Sequence, residues 1–378
     1  MGSLMNEHTS RARLLAAIEG RTPDRLPVTT HHLMGFYLDN LRKELGVEQL
    51  SDQQFFDYFK LDPVQWVSAY KYNTDGNPEN WRITQEDIPN DQYKTIRYNI
   101  TTPRKTLTMV LQGNAHTDWV AEPLLKEKGD IDLIAEYALV SICDVAESNR
   151  CIEGFGNRGI TRGTVPGFDI YGQPGCWQDA AVLFGVTNLI METFTDPEWV
   201  HAFLKILYDR KLKFVESMAG AKFDLVELGG GSASSTVISP TIFGNFVAPY
   251  DSLLIEAAHK AEQRIVYHTC GGMMPLLEII ADMNPDAMET FTPPSMGGDT
   301  DLAETKRRIG NRVCLIGGFD QFHFLKDCSP EKTRQEVRRC FEEAGEGGGL
   351  ILSPSDHFFE ADSECLRAFV DEGRKCAY

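Results

Sequence analysis

The chain has 378 residues, 42% of them apolar and 24% charged, an ordinary globular composition that can supply one large core or two medium ones. Asp plus Glu number 55 against 37 Lys plus Arg, a formal net charge of -18 with no clustered basic run, which excludes nucleic acid and anionic membrane surfaces as partners. No apolar stretch approaches the roughly 20 residues of a membrane span, and nine scattered cysteines without a Cys-x-x-Cys pair read as reduced thiols of a cytoplasmic protein.

Residues 1–8 contain a second methionine, Met5, and read as a leader outside the fold, leaving 9–378 as a single domain. Residues 9–20 carry apolar positions at helical spacing (Leu14, Leu15, Ile18) and stop at Gly20. Pro23-Asp24-Arg25 then turns the chain into Leu26-Pro27-Val28-Thr29-Thr30, a first strand that delivers His31 and His32. Residues 36–60 read as two helical pieces around Gly46, and 64–70 as a short strand. Between 72 and 122 the composition shifts to Asn, Asp, Thr and Tyr with period-two segments, which predicts a small antiparallel sheet inserted as a subdomain or lid. Lys126 to Arg150 reads as helix again.

From 157 onward strand, loop and helix repeat. Predicted strands are 159–165, 223–228, 264–268, 286–291, 313–317 and 349–353, separated by helices at 197–219, 240–263, 273–283, 300–309 and 330–344. Ser239-Pro240 supplies a cap and a first-turn proline to the second of these. Strands spaced by helices imply parallel βα units. Six units plus one or two from the N-terminal part make about eight, so the expected fold is an α/β (β/α)8 TIM barrel with an N-terminal extension. A doubly wound sheet is the alternative, but no Gly-x-Gly-x-x-Gly follows the first strand.

In such a barrel chemistry gathers at the C-terminal strand ends. Five consecutive strands each offer a metal-capable or proton-transferring group there: Glu227, then His268 and Cys270, then Glu289, then Asp320, then Asp356 with His357. Imidazole and thiolate are the usual zinc ligands, and a carboxylate would make three, leaving a fourth position open for a substrate atom. His268 and Cys270 form the predicted pair, with Glu227 and Asp356 competing for third place. Each has a plain structural reading beside it: Glu227 as half of a rim ion pair, Asp356 as the N-cap of a 362–374 helix. Glu289 and Asp320 are expected to position substrate or to move protons, and His31 to face the mouth. Gly229-Gly230-Gly231-Ser232 lacks the lysine and spacing of a phosphate loop, so its glycines are read as a close backbone approach to a bulky ligand.

Several segments resemble the uroporphyrinogen decarboxylase superfamily, which includes cobalamin-dependent methyltransferases. They are Gly20-Arg21-Thr22-Pro23-Asp24-Arg25-Leu26-Pro27-Val28, Ile238-Ser239-Pro240 with Ala248-Pro249-Tyr250, His268-Thr269-Cys270-Gly271-Gly272, and Asp301-Leu302 followed by Gly317-Gly318-Phe319-Asp320. The resemblance implies a TIM barrel whose mouth accepts a tetrapyrrole or corrinoid, approached by backbone at Gly229, Gly230 and Gly271. The decarboxylases carry an Arg-Gln-Ala-Gly-Arg segment after the first strand, where this chain reads Thr30-His31-His32-Leu33-Met34-Gly35-Phe36 without an arginine. The methyltransferase branch holds zinc with His-x-Cys and a later Cys. Here the later loop reads Ser355-Asp356-His357, so Asp356 or Glu227 would stand in for the sulfur and give a harder ion suited to an ether oxygen. The resemblance therefore implies a zinc-dependent methyltransferase acting between a methoxylated small molecule and a corrinoid carried by a separate corrinoid protein. A homodimer is compatible with it. Thiol-directed transfer of the coenzyme M kind, decarboxylation and a non-catalytic corrinoid-binding barrel are the competing readings.

Overall fold

The computed structural model describes residues 8–30, 32–73 and 76–378; Met1–Glu7, most of the predicted leader, and His31 lie outside the described residues. Seven runs rich in aliphatic residues form one parallel sheet: β1 (Val64–Trp66), β2 (Ile160–Thr164), β3 (Leu225–Gly229), β4 (Ile265–His268), β5 (Ala287–Thr290), β6 (Cys314–Phe319) and β7 (Leu350–Pro354). Each pairs with the next in chain order, in the register Val266 with Glu227 and His268 with Glu289. Short apolar strands of this kind, buried on both faces, are stable only under a layer of helices. The crossovers supply it, the longest being Pro197–Ser217, capped by Asp196 on the Trp199 N–H.

The seam of the barrel is closed by the predicted first strand, which is reduced to one ladder pair. Val28 forms a single parallel bridge to Leu352 of β7, while the Asp62 N–H just before β1 donates to the Val28 carbonyl at 2.7 Å. A buried ionic knot holds this segment in place. The Asp62 carboxylate, 1% exposed, accepts from Arg13 (2.8 Å), from both terminal nitrogens of Arg25 (3.0 and 3.1 Å) and from the Val28 N–H (3.0 Å). The fold is the (β/α)8 TIM barrel that the strand–helix repeat implied.

Two local expectations are corrected. The stretch 126–150 is not continuous helix, because Ser141–Cys143 breaks it and pairs antiparallel with Tyr70–Tyr72. The 240–263 helix is also in pieces, Pro240–Ile242, a wide turn over Phe243–Val247, and Ala248–Lys260, since Pro249 has no N–H with which to continue a regular ladder. Arg82–Ile88, Lys94–Thr101, Thr106–Gly113 and Asp118–Glu122 form a separate four-stranded antiparallel sheet. Among the described residues no helix is long and apolar enough to cross a membrane.

On the Ala248–Lys260 helix, Asp251 is fully buried and accepts from the Tyr267 hydroxyl at 2.9 Å. Burial pushes its carboxyl up to about 6, against the pull of that hydrogen bond. A carboxyl raised on folding binds its proton more tightly in the native state, so the stability it contributes is present below about pH 4 and lost as pH rises through 6. Asp251→Asn keeps the shape and the acceptor. In urea titrations it is expected to stabilise the protein by about 1–3 kcal/mol at pH 8 and by little at pH 4. Equal effects at the two pH values would sink that account.

Candidate metal centre

Four adjacent strands send one long polar side chain each to the same end of the barrel: Arg162 from β2, Glu227 from β3, His268 from β4 and Glu289 from β5. Glu289 is wholly buried and Arg162 is 2% exposed. Charges at such depth persist only when paired, and here they are. The Arg162 fork gives Nη1 to Glu289 Oε2 at 2.9 Å, and Nη2 to Glu289 Oε1 and Glu227 Oε2, each at 2.5 Å. Its plane rests on Trp66 of β1, with the guanidinium carbon 4.5 Å from the ring centre. Both carboxylates hold the guanidinium in its charged form.

Glu289 Oε1 also lies 2.7 Å from His268 Nδ1. Burial alone would lower the His268 pKa. Hydrogen bonds to Cys270 and Glu289, and the charges of Glu289 and Glu227, outweigh burial and hold the imidazole well above its ordinary value. One ligand atom from each of Glu227, His268 and Glu289 lies within 4.8 Å of the others, the only such group among the described residues. Imidazole and carboxylate donors within that span fit a zinc ion.

Beside this group lies a cavity of about 790 Å³, in the range of a single drug-sized ligand. His268, Cys270, Asp356 and His357 line it, and so do Trp119 and Val120 of the antiparallel sheet. Tyr171, also on the wall, donates its hydroxyl to the Asp118 carbonyl at 3.1 Å, tying that sheet to the barrel loops. No lysine or arginine is among the described residues that line the cavity.

The structure therefore brings His268 and Cys270 to one cavity wall, with Cys270 hydrogen-bonded to the imidazole and Gly231 packed on its sulfur, where a Cβ would come within 2.6 Å. Glu227 stands at the His268 side with Glu289. Cys270 and Asp356 both reach this cavity, but neither is in the convergent group of Glu227, His268 and Glu289; Asp356 Oδ1 accepts from the His357 N–H at 2.7 Å. Asp320 is placed elsewhere. It caps the helix Gln321–Phe324, its carboxylate is engaged by His323 (2.9 Å) and Ser295 (2.5 Å), and it lines a different cavity.

The glycines differ in placement from the expected ligand approach. A Cβ on Gly229 would lie 2.3 Å from the His268 carbonyl, and one on Gly271 2.8 Å from Thr236 Oγ1, so both are pressed against protein. Gly230 donates its N–H to the His268 carbonyl at 2.7 Å. Of that run only Gly231 and Ser232 border the cavity.

Sequence reasoning passed over Arg162 and Trp66. The signal was present: an arginine inside Ile160-Thr161-Arg162-Gly163-Thr164, a strand buried on both faces, has to meet carboxylates.

Comparison with known proteins fits this arrangement. Residues 171–376, more than half of the chain, match the model of the family described as Uroporphyrinogen decarboxylase (URO-D). A methylated-thiol–coenzyme M methyltransferase of Methanosarcina mazei is 26% identical over 191 residues, 50% of this chain and 48% of the relative. A uroporphyrinogen decarboxylase of Psychromonas ingrahamii is 27% identical over 206 residues, 51% and 53% of the two chains. The chain thus spans about half the length of these two. The methylcobamide:CoM methyltransferase MtaA of Methanosarcina barkeri is 23% identical over 358 residues, 93% of both chains. Among solved structures, a methyltransferase from Methanosarcina mazei superposes with a TM-score of 0.65 at 17% identity, covering 98% of this chain and 99% of its own. A parallel barrel with its acids, imidazole and thiol gathered at one mouth, and a family match running from Tyr171 to Cys376, lead to one conclusion: the chain belongs to the uroporphyrinogen decarboxylase family.

Proposed function

We propose that this protein is a zinc-dependent methyltransferase that moves a methyl group between a methoxylated small molecule in the 790 Å³ cavity and the corrinoid of a separate carrier protein. The observation that carries the reading is the convergence of Glu227, His268 and Glu289 beside a cavity wall whose described residues include no lysine or arginine. A tetrapyrrole bearing many carboxylates would need cations on that wall, and Arg162 is spent on Glu227 and Glu289.

In this reading His268 and Cys270 hold the ion together with Glu227. Glu289 binds the far side of the imidazole at Nδ1 and fixes its orientation, as the outer carboxylate of a histidine ligand does. Arg162 in turn fixes both acids. A zinc ion held there supplies Lewis acidity toward the oxygen from which the methyl departs. Asp356 and His357, on the same wall, are the groups placed to hand a proton to that oxygen. Trp119, Val120 and Tyr171 form the apolar side against which the rest of the substrate packs. Nine free thiols, none in a disulfide, accord with a reducing cytoplasm.

The test is incubation of metal-loaded protein with a reduced corrinoid protein and a panel of methoxylated aromatics, following cobalt methylation by absorbance. Methylation that a chelator abolishes and zinc restores is the expected result. Protein that holds no stoichiometric zinc, or that decarboxylates uroporphyrinogen instead, would end the proposal.

A second reading, transfer to a thiol, is favoured by the names of two relatives, both of which act on coenzyme M. Adding a thiol to the zinc form would then release about one proton per site. An ether-cleaving enzyme releases none.

A further inference from the structure

The turn that carries Cys270 out of β4 is held by side chains from the two neighbouring strand ends. Its backbone N–H groups donate to them in sequence. Gly271 reaches Thr292 Oγ1 at 3.2 Å and Gly272 reaches Thr236 Oγ1 at 2.7 Å. Met273 and Met274 both reach Asp299 Oδ1, at 2.7 and 3.1 Å. The Gly272 carbonyl in turn accepts from the Ser235 N–H at 2.7 Å. On the other side of Cys270, the Thr269 N–H donates to the Glu289 carbonyl at 3.1 Å, and the Thr269 carbonyl accepts from Thr290 Oγ1 at 3.3 Å. Gly272 and Met273 are buried, so water does not stand ready to replace these bonds.

Asp299 differs from the other members of this set in carrying a charge. Among the described residues its partners are the two N–H groups and the Ser235 hydroxyl, 3.5 Å from Oδ2, and no cation pairs with it. A hydrogen bond to a carboxylate is roughly twice as strong as one to a neutral acceptor, and here both strong bonds go to one turn of backbone. Asp299 arrives there because its own loop is closed: the Thr300 N–H donates to the Thr292 carbonyl at 3.1 Å, so Thr292 and Asp299 meet the Cys270 turn together. None of Thr236, Thr292 and Asp299 lines the cavity beside His268, so they act on it through the turn.

We propose that Asp299 is a positioning residue for Cys270: by holding the Met273 and Met274 N–H groups it sets where the Cys270 sulfur stands relative to the His268 imidazole. The inference rests on the reading of Cys270 as a ligand of the proposed ion. Such ligands must be held to within about 0.5 Å, and a turn released at one end gives up that precision.

Cobalt(II) titrated into the metal-free full chain reads affinity and, through the sulfur-to-cobalt charge-transfer absorption, whether the thiolate is bound. The wild type should show that absorption and Cys270→Ser should lack it. Asp299→Ala is expected to bind cobalt about tenfold or more weaker, with the absorption reduced. Asp299→Asn, whose amide oxygen accepts the same two N–H groups, should return both to within about threefold of the wild type. Thr292→Val removes the Gly271 acceptor at nearly constant shape and should weaken binding as Asp299→Ala does, which decides the matter if Asp299→Ala does not fold. Asp320→Ala strips a side-chain cap from the next strand end and should bind cobalt as the wild type does. Wild-type affinity and absorption in both Asp299→Ala and Thr292→Val overturn the proposal. So does Asp299→Asn no better than Asp299→Ala, or Asp320→Ala losing cobalt to the same extent. A wild type that binds cobalt without the absorption takes Cys270 off the ion, and ends the ligand reading together with the proposal.

Discussion

With zinc held as proposed, His268→Ala is expected to abolish its binding and methyl transfer while leaving the protein folded. Substituting an outer partner of a metal-bound histidine costs about 10–100-fold in affinity, and removing the ligand itself costs at least the upper end of that range. Cys270→Ser should fall close behind, since a serine hydroxyl is a poor donor to zinc beside a thiolate. Glu289→Gln should sit lower in the series, about 10–100-fold, because the amide keeps its place at Nδ1 but loses its charge. Zinc competition against a fluorescent chelator, run on all three proteins, reads the order directly. If His268→Ala and Cys270→Ser both keep zinc at the wild-type affinity, the centre is not where we place it. If Glu289→Gln proves the worst of the three, Glu289 is itself a ligand and Cys270 the outer group.

The second large effect is on stability. Arg162→Met leaves the wholly buried Glu289 and its neighbour Glu227 without their shared cation. Breaking one side of a buried ion pair costs about 3–5 kcal/mol, far more than the pair itself contributes over an apolar replacement. The variant is expected to lose that much in urea unfolding of the metal-free protein. Arg162→Lys should recover only part, since an ammonium cannot span both oxygens of Glu289 and reach Glu227 together. Adding Glu289→Gln to Arg162→Met should win back a large share, because it removes one of the stranded charges. A single variant within about 0.5 kcal/mol of the wild type would show that water reaches these acids. Zinc should narrow the deficit, since a divalent cation supplies the charge the arginine took with it.

The barrel was legible because its strands carry two separate signals, aliphatic runs buried on both faces and helices at regular spacing between them. The β4 run ending in His268-Thr269-Cys270 marked the mouth, and the phasing of acids to the neighbouring strand ends marked the rest of the rim. What stayed hidden depends on direction. Asp320 ends its strand as regularly as Glu289 does, but the chain turns into a helix there and its carboxylate caps that helix. Arg162 lies within a strand rather than at its end, and only the assembled barrel shows it leaning across to two other strands. The glycines are ambiguous for a related reason: a missing side chain marks close contact, and sequence does not say whether the contact is with ligand or with the next strand.

The single bridge at Val28 has a consequence for how the molecule is made. Its partner Leu352 is synthesised more than 300 residues later, so the ribosome delivers nearly the whole sheet before its two edges can meet. Until then the Asp62 knot anchors the early segment to β1 alone, and β7 is still missing from the far edge. Contacts of such long range are slow to form, and an unzipped edge invites pairing with a neighbouring nascent chain. The sheet therefore keeps an unpaired edge until β7 has been made.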